Sequence, residues 1–402
     1  MAPADPYRQR VSRGQRLGIR LQRAQRWEFW PGWLFYIPIV IWILLCGLRH
    51  RQPTAFSATN PGMDNGSVVG ERKSRMLLPL QEALPDVVPP TRLLDASFTT
   101  ACAEVLALAD DCGWPLVLKP DIGQRGRGVA IIHSPAQARA YLKIATAPGL
   151  GFRVLAQAFA GGDEYGVFVR REPGHEEFHI SSVTHKALPT LVGDGQHSLA
   201  QRILDDDRAR LIAPLLFTRH ADQLDDILPA GEERQLVELG AHCRGAEFRN
   251  AMALTGPALS ATMTRIAQAL PGFDFGRIDL RARSPEDLRQ GRHIQVLEIN
   301  GVTSEPAHVY HPGTSLWQGL RVFCEHWSHA FELGRERVRH DGIRPLSPLR
   351  LLALFREDLR RFAPCEAASH AAMTAGGRKL AAPMALGEPH GLAGADPKAQ
   401  AQ

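Results

Sequence analysis

The 402-residue sequence predicts a mixed α/β (α+β) protein preceded by a membrane-associated helix. Three observations lead to this prediction: an uncharged apolar stretch near the amino terminus, a glycine-rich loop between two short apolar strands, and a later strand that ends in oxygen-bearing side chains. Apolar residues make up 44% of the chain, which is a globular composition. The length allows one large domain or two ordinary ones.

Positive charge is concentrated at the amino terminus. Residues 1–28 carry seven arginines against Asp5 and Glu28, which accounts for the whole net charge of +5. Because the remainder is neutral, the composition argues against a nucleic-acid-binding protein. The six cysteines are scattered without a C-x-x-C pair, which argues against a disulfide framework and indicates a reducing compartment.

The apolar stretch FWPGWLFYIPIVIWILLCGL, residues 29–48, contains no charge and is long enough to cross a bilayer. Trp27, Trp30 and Trp33 are aromatic residues of the kind found at membrane interfaces. The preceding arginines favour a cytoplasmic amino terminus, and a single span would then export the rest of the chain. Pro31 and Pro38 leave a re-entrant or interfacial segment open. We therefore predict a basic cytoplasmic or interfacial arm over 1–28, a membrane segment over 29–48, and lipid as a partner.

The glycine-rich loop lies in WPLVLKPDIGQRGRGVAIIHS, residues 114–134. The pattern predicts one strand ending near Lys119, a loop that holds Gly123, Gly126 and Gly128, and a second strand. Glycines let backbone N–H groups approach a phosphate, and Lys119 can reach the same anion. No GK[ST] and no helix follow, so this is neither a Walker loop nor a dinucleotide fingerprint. The alternative is an ordinary hairpin with a flexible turn.

A second polar feature ends the strand IQVLEIN, residues 294–300. Strict alternation would put Val296, Glu298 and Asn300 on one face. Burial of an ionised glutamate beside an amide is costly unless a cation or a donor meets them. Carboxylate and amide oxygens are ligands that Mg²⁺ prefers. The alternative is a strand end whose polar tip reaches solvent.

The order of these features resembles the ATP-grasp superfamily, in its branch of D-alanine–D-alanine ligases and cyanophycin synthetase-like carboxylate–amine ligases. Lys119 and its glycine loop are followed by FGRIDL, residues 275–280, and then by VLEIN. The resemblance covers residues 71–333. It implies the ATP-grasp fold, two α+β subdomains clasping ATP: 71–150 with the glycine loop and 151–333 with the metal site.

The resemblance also implies roles for individual residues. The residues implied to bind ATP are Lys73, Lys119, Gly123, Gly126, Gly128, Gln157 and Glu164. The residues implied to bind metal, one or two Mg²⁺ ions with Mn²⁺ possible, are Asp279, Glu298 and Asn300. Lys186 and Arg277 would act on the transferring phosphoryl group as catalytic residues. Lys73 lies in the polar run ERKSR, so a surface lysine is an open alternative for that position.

The chain departs from its relatives after the metal-binding asparagine, where it reads NGVTSEPAHVYHP. The candidates for acceptor recognition in this stretch are Ser304, Glu305, His308 and Tyr310. The small α/β domain that usually precedes the grasp is missing or shortened, because only the membrane segment with its basic arm and a Ser-, Asn-, Gly- and Pro-rich segment, 49–70, precede residue 71. We predict a linker over 49–70, carboxy-terminal helices over 334–362 and a disordered tail over 363–402.

The resemblance implies an ATP-dependent carboxylate–amine ligase that acts through an acylphosphate on small-molecule substrates. The basic arm suggests a membrane or envelope-biosynthesis partner. An ATP-grasp kinase that phosphorylates a hydroxyl and a non-catalytic nucleotide-binding scaffold are the alternatives. Because ATP and free Mg²⁺ are abundant in the cytoplasm, we predict a membrane-associated protein whose catalytic domain faces the cytoplasm. Residues 29–48 would then be a monotopic anchor or a span with an exterior amino terminus.

Overall fold

The structure is a computed structural model that describes residues 5–123, 126–149, 151–238, 240, 245–360 and 362–375. The helices are α1 Pro6–Arg10, α2 Arg13–Gln25, α3 Gly32–His50, α4 Lys73–Ala83, α5 Phe98–Cys112, α6 Pro135–Ala145, α7 Leu199–Asp205, α8 Ala213–Arg219, α9 Pro257–Ala269, α10 Pro285–Arg289, α11 Leu316–His340, α12 Pro348–Arg360 and α13 Phe362–Ala375. The strands are β1 Thr91–Leu93, β2 Leu116–Pro120, β3 Ala130–Ile132, β4 Val154–Ala158, β5 Asp163–Arg171, β6 Phe178–Ala187, β7 Thr190–Val192, β8 Glu233–Gln235, β9 Glu247–Asn250, β10 Phe275–Ala282 and β11 Ile294–Asn300.

A four-stranded antiparallel sheet, which includes β4 from beyond the predicted boundary at residue 150, has the strand order β1-β4-β2-β3. Its apolar side chains form a core with helices α5, α6 and α13, in which Leu116, Leu118 and Tyr141 are fully buried. Strands β2 and β3 pair from Leu116 opposite Ile132 and are joined by the glycine loop. The predicted strand–loop–strand unit is present.

A second, five-stranded antiparallel sheet has the strand order β11-β10-β5-β6-β9. One face packs on α4 and α9 through residues such as Leu77 and Ile266. Phe168 and Phe275, on the opposite face, pack with aromatic residues of α11 and α3. The mixed helix and sheet class predicted from the sequence is confirmed.

Strand β11 departs from the predicted alternation because it contains a β-bulge. Asp279 of β10 is opposite Glu298, but the next residue, Leu280, is opposite Val296, so Leu297 has no partner. The bulge brings Val296 into the apolar core together with Ile299, both at most 3% exposed. The prediction that Val296 shares a face with Glu298 is therefore wrong, because an extra residue shifts the alternation.

The segment predicted as a linker is largely buried. Asn60 is fully buried, and its side chain donates to the Ser67 hydroxyl at 2.7 Å and accepts from the backbone N–H of Asp274 at 2.8 Å. Ser67 in turn accepts from the N–H of Val302 at 2.9 Å. The polar composition that predicted a linker is explained by these internal hydrogen bonds, which satisfy buried groups.

Both terminal regions also contact the domain. Tyr7 and Ile19 of the basic arm are buried against helices α7 and α8. The first part of the predicted disordered tail is helix α13, whose Ala368 and Ala372 join the apolar core of the four-stranded sheet. The prediction for 363–402 is thus wrong as far as residue 375, and residues 376–402 lie outside the described residues.

Candidate active site

Lys119 lies at the end of β2 with 5% of its surface exposed. Its Nζ donates to Oε1 of Gln157 and to the backbone oxygen of Leu297, both at 2.8 Å. The second acceptor is available because Leu297 is the bulged residue of β11. Gln157 is held in place by donating to the Thr91 hydroxyl at 2.8 Å. Lys119 therefore connects the four-stranded sheet to strand β11 of the five-stranded sheet.

Burial determines the protonation of Lys119. Desolvation lowers its pKa to about 8, although the charge of Glu298 favours the protonated form. Among the described residues, no carboxylate oxygen lies within 4.0 Å of its Nζ. An anion placed here would meet a desolvated ammonium that has no direct ionic partner.

Lys73 is the first residue of α4 and is 7% exposed. Its Nζ lies 3.1 Å from Oε1 of Glu298 and donates to the backbone oxygen of Gly123 in the glycine loop. The alternative of a surface lysine is therefore wrong. Lys73 places a positive charge between the glycine loop and strand β11. The resemblance implied a nucleotide-binding lysine at this position.

The predicted metal ligands come together across the β10–β11 pair. Asp279 is opposite Glu298, and Arg277 is opposite Asn300. Arg277 Nε donates to Asp279 Oδ1 at 2.7 Å, and the Asn300 amide donates to Oδ2 at 3.2 Å. Burial raises the pKa of Asp279, but Arg277 and Lys186 outweigh it and hold that pKa below its ordinary value.

Lys186 on β6 connects two acidic residues. Its Nζ lies 3.0 Å from Glu164 Oε1 and 3.0 Å from Asp279 Oδ2. Desolvation lowers the pKa of Lys186, but the two carboxylates outweigh it and raise the pKa overall. Glu164 is also 3.5 Å from the guanidinium of Arg281. The residues predicted to bind the nucleotide and to act in phosphoryl transfer therefore form one network.

Gly166 is a site residue that sequence reasoning missed. It is opposite Asp279 in the β5–β10 pairing, and a Cβ there would lie 2.9 Å from Cδ of Arg277 and 3.1 Å from Oδ1 of Asp279. A side chain would displace the Arg277–Asp279 pair. The sequence signal was a glycine within a strand of larger residues. Such a glycine often marks a position where another group lies close to the backbone.

The glycine loop is shaped by two left-handed backbone positions, Gly126 at φ 68° and Gly128 at φ 72°. A Cβ on Gly128 would lie 2.6 Å from Cγ of Pro120 and 2.8 Å from Cβ of Cys365 in α13. Tyr141 donates to the Gly128 oxygen at 2.7 Å. The end of the loop is thus held from three sides.

The four acceptor candidates lie beyond Asn300, and each makes contacts within the protein. Ser304 donates to the backbone oxygen of Asn300 at 3.2 Å, which closes the turn. His308 Nδ1 is 2.7 Å from the Ser182 hydroxyl, and burial lowers its pKa. Glu305 accepts a hydrogen bond from Tyr36 of α3, and Tyr310 packs on Trp27 with ring centroids 5.4 Å apart. The structure joins this stretch to the apolar helix.

Glu71 is a buried carboxylate that the sequence analysis did not select. Its Oε2 is buried without a hydrogen-bond partner, and the Gly301 N–H donates to the carboxylate. Burial raises the pKa of Glu71 to about 8, with Lys73 opposing the shift and Glu298 adding to it. The residue lies two positions before Lys73 in the polar run ERKSR, and such a run does not predict a buried carboxylate. It adds an acidic group beside the predicted metal ligands.

The donor set fits a hard divalent cation in its chemistry. Asp279 and Glu298 are neighbouring carboxylates, and Asn300 supplies an amide oxygen. Arg277, Lys186 and Lys73 now neutralise these carboxylates. Among the described residues, no three His, Cys, Asp or Glu side chains converge as a metal cluster. An ion here would need the Asn300 amide and nucleotide phosphates to complete its shell.

No protein-family model matches the sequence, and no curated protein matches it either. Solved structures do match, at low similarity. A bifunctional glutathione synthetase from Pasteurella multocida is 17% identical with a TM-score of 0.34, over 63% of this chain and 36% of that one. VanG D-Ala:D-Ser ligase from Enterococcus faecalis is 12% identical with a TM-score of 0.38, over 70% and 64%. The ATP-grasp ligase PsnB is 15% identical with a TM-score of 0.34, over 64% and 58%.

This chain therefore spans about a third of the glutathione synthetase and less than two thirds of the other two. Two of the three are named as ligases and one as a synthetase.

Proposed function

We propose that this protein is an ATP-dependent carboxylate–amine ligase that acts through an acylphosphate. The observation that carries the proposal is the juxtaposition of buried Lys119, which has no direct carboxylate partner among the described residues, with the Asp279–Glu298 pair. A polyphosphate needs cations that are free to bind it and acidic groups that share its metal ion. Both kinds of group are present between the two sheets.

Each basic residue has a distinct place in the proposed reaction. Lys119 and Lys73 approach from the side of the glycine loop, and they would bind the phosphates of ATP. Lys186 and Arg277 approach from the five-stranded sheet, where they flank Asp279. They would stabilise charge on the transferring phosphoryl group and on the tetrahedral oxyanion formed when the amine attacks.

Asp279, Glu298 and Asn300 would hold Mg²⁺, which when bound neutralises phosphate charge during transfer. The protein needs no nucleophile of its own, since the substrate carboxylate attacks the γ-phosphorus and ADP departs. The amine then attacks the acyl carbon, phosphate leaves, and the amine loses a proton. The glycine loop would exclude water from the acylphosphate between these two steps.

We place this site on the cytoplasmic side of a membrane, attached through α3. By length and composition, that helix is the one described helix long and apolar enough to span a membrane. We propose the cytoplasmic side because ATP and free Mg²⁺ are abundant in the cytoplasm.

The proposal is tested with the full-length protein, Mg-ATP, hydroxylamine and pools of amino acids, peptides and other small carboxylates. ADP release with a matching hydroxamate, both lost in Glu298→Gln, supports an acylphosphate ligase and identifies its carboxylate. ADP with a phosphorylated alcohol and no hydroxamate would indicate a kinase and overturn the proposal. ATP binding without turnover across all pools would favour a scaffold.

A further inference from the structure

Helix α3 has two apolar faces with different surroundings. Its inner stripe, Phe35, Ile39 and Cys46, is at most 5% exposed. Its outer face contains Trp33, Leu44 and Leu48, which are 61–75% exposed, and the less exposed Leu34, Ile37, Val40, Ile41 and Leu45. A helix that is apolar all round is stable where both faces avoid water. The part of the chain that the structure describes covers only the inner stripe.

The inner stripe is packed along α11, with the two helices side by side and parallel. Phe35 and Phe323 have ring centroids 5.3 Å apart near the start of both helices. Farther along, Trp42 Nε1 donates to the Cys324 oxygen at 3.0 Å. At the end of α3, His50 Nδ1 and Arg335 are 2.6 Å apart. The whole length of α3 is therefore fixed to the domain.

This packing is incompatible with a helix that crosses a bilayer. A crossing α3 would take α11 with it, and α11 exposes Arg321 and Glu325 with side chains 81% and 58% accessible. Charges in the hydrocarbon core are costly. Trp27, just before α3, also donates to the Thr314 oxygen beside α11 at 2.7 Å. Both ends of α3 are thus held to the same body, on the same side of any membrane.

The charges around α3 are complementary to an anionic lipid surface. Arg26 precedes the helix, Arg49 and Arg51 end it, and all three are exposed. Exposed Arg13 and Arg20 on α2 add to the positive charge. An apolar face bounded by arginines is the pattern of helices that lie in the plane of a membrane interface.

The inner side of α3 contacts the acceptor segment, which we define as residues 301–311. Tyr36 donates to the Glu305 carboxylate, and the Glu305 backbone oxygen accepts from Arg277 at 3.2 Å. Arg277 in turn binds Asp279. Two residues therefore connect the apolar helix to the proposed metal site.

We propose that the outer face of α3 binds an anionic bilayer in the plane of the membrane, and that this contact orders the acceptor segment through Tyr36. The partner is the lipid surface itself. The inference deepens the proposed function by placing the acceptor side of the site at the membrane surface. Neither of its tests requires turnover, so failure of the ligase assignment is distinguishable from failure of this inference.

The first test measures depth with nitroxide labels in vesicles of phosphatidylcholine and phosphatidylglycerol. Labels are placed singly at residues 33, 37, 44 and 48 of the full-length protein, with Cys102, Cys112, Cys243 and Cys324 replaced by serine. An in-plane helix puts all four within about one helical turn of depth, roughly 5 Å. A label at exposed Glu233 is the control and should remain in water.

Three results would overturn the in-plane arrangement. One is a spread of depths approaching the roughly 22 Å rise between positions 33 and 48. Another is the absence of binding to these vesicles. The third is dimerisation without vesicles that immobilises the four labels, since a second copy would then cover the outer face.

The second test follows hydrogen exchange of residues 301–311 with and without the same vesicles. In the unchanged protein, vesicles should slow exchange there at least severalfold. Tyr36→Phe keeps the apolar ring but loses the donated bond, so it should bind vesicles equally and lose most of this slowing. Trp33→Phe, on the outer face, is the matched control and should keep it. Equal slowing in Tyr36→Phe would refute the coupling.

Discussion

Asp279 and Glu298 are directly opposite each other on neighbouring antiparallel strands, and Glu298 directly follows the bulged residue Leu297. Two adjacent carboxylates repel, and the structure offsets this with Lys186 and Arg277 at Asp279 and with Lys73 at Glu298. Under the proposed function, a metal–nucleotide complex would take the place of these protein cations.

Glu298→Gln should lower turnover at least about a hundredfold, because it removes a charged ligand from the proposed metal site for phosphoryl transfer. The side chain is 29% exposed and the replacement is isosteric, so the melting temperature should change little. Steady-state ADP release and thermal unfolding measure the two effects. Glu233→Gln, at an exposed position on β8, is the control. Full activity in Glu298→Gln would contradict the proposed metal site.

ATP binding should weaken as the pH rises from 7 to 9. The pKa of Lys119 is lowered to about 8 by burial, so the free protein loses this positive charge over that range. Bound phosphate favours the protonated form, and the dissociation constant for Mg-ATP should therefore rise about tenfold by pH 9. Calorimetric titration at several pH values measures it.

Lys119→Met should bind Mg-ATP more weakly at pH 7 and show a flatter pH dependence. Lys143→Met, at an exposed position on α6, should behave like the unchanged protein. An unaltered pH dependence in Lys119→Met would show that another group titrates.

Glu71→Gln should make the protein more stable near pH 8 than the unchanged protein. The pKa of Glu71 is raised from 4.5 to about 8 in the folded state, so its contribution to stability is present below pH 4.5 and is lost as the pH rises through 8. The gain near pH 8 should be about 1–3 kcal/mol. Urea unfolding at pH 5 and pH 8 tests this. Glu82→Gln, exposed on α4, should leave the difference between the two pH values unchanged.

Gly128→Ala should raise the KM for ATP markedly, while its effect on the free energy of unfolding should be smaller. The residue has φ 72°, and a Cβ would meet Pro120 and Cys365 within 2.8 Å, so the loop must move. The cost is about 1–3 kcal/mol, and we expect an increase in KM for ATP of about tenfold or more. Gly149→Ala is the matched control, since it has φ 75° with nothing within 4 Å of the added Cβ. Equal KM values for both variants would argue against a role of the loop in nucleotide binding.

Asn60→Ala should destabilise the protein by about 2–4 kcal/mol, because it leaves several buried groups unsatisfied. The Asn60 amide accepts from the N–H groups of Asp274 and Phe275 and donates to Ser67 and to the Phe275 oxygen. Chemical denaturation measures the loss. Asn250→Ala, an exposed position with one bond to the Met252 N–H, should cost less than about 1 kcal/mol. A similar small cost at Asn60 would restore the linker interpretation.

The sequence by itself determined the residue types that carry the proposed chemistry and their order along the chain. Four residues could be selected because each ends or interrupts an apolar strand, where a buried polar side chain requires a partner: Lys119, Asp279, Glu298 and Asn300. The glycine loop was recognisable for the same local reason. The α+β class followed from these strand patterns together with the resemblance that their order revealed.

Only the tertiary structure decided how polar side chains outside such patterns are used. Glu71 and Asn60 lie in runs typical of surface segments, and their burial depends on partners more than 200 residues away, Gly301 and Phe275. The bulge at Leu297 depends on pairing with β10, which alternation within one strand cannot show. The packing of α3 along α11 likewise depends on a surface formed by distant residues. Local pattern predicts which groups need a partner, and long-range packing decides which partner each one has.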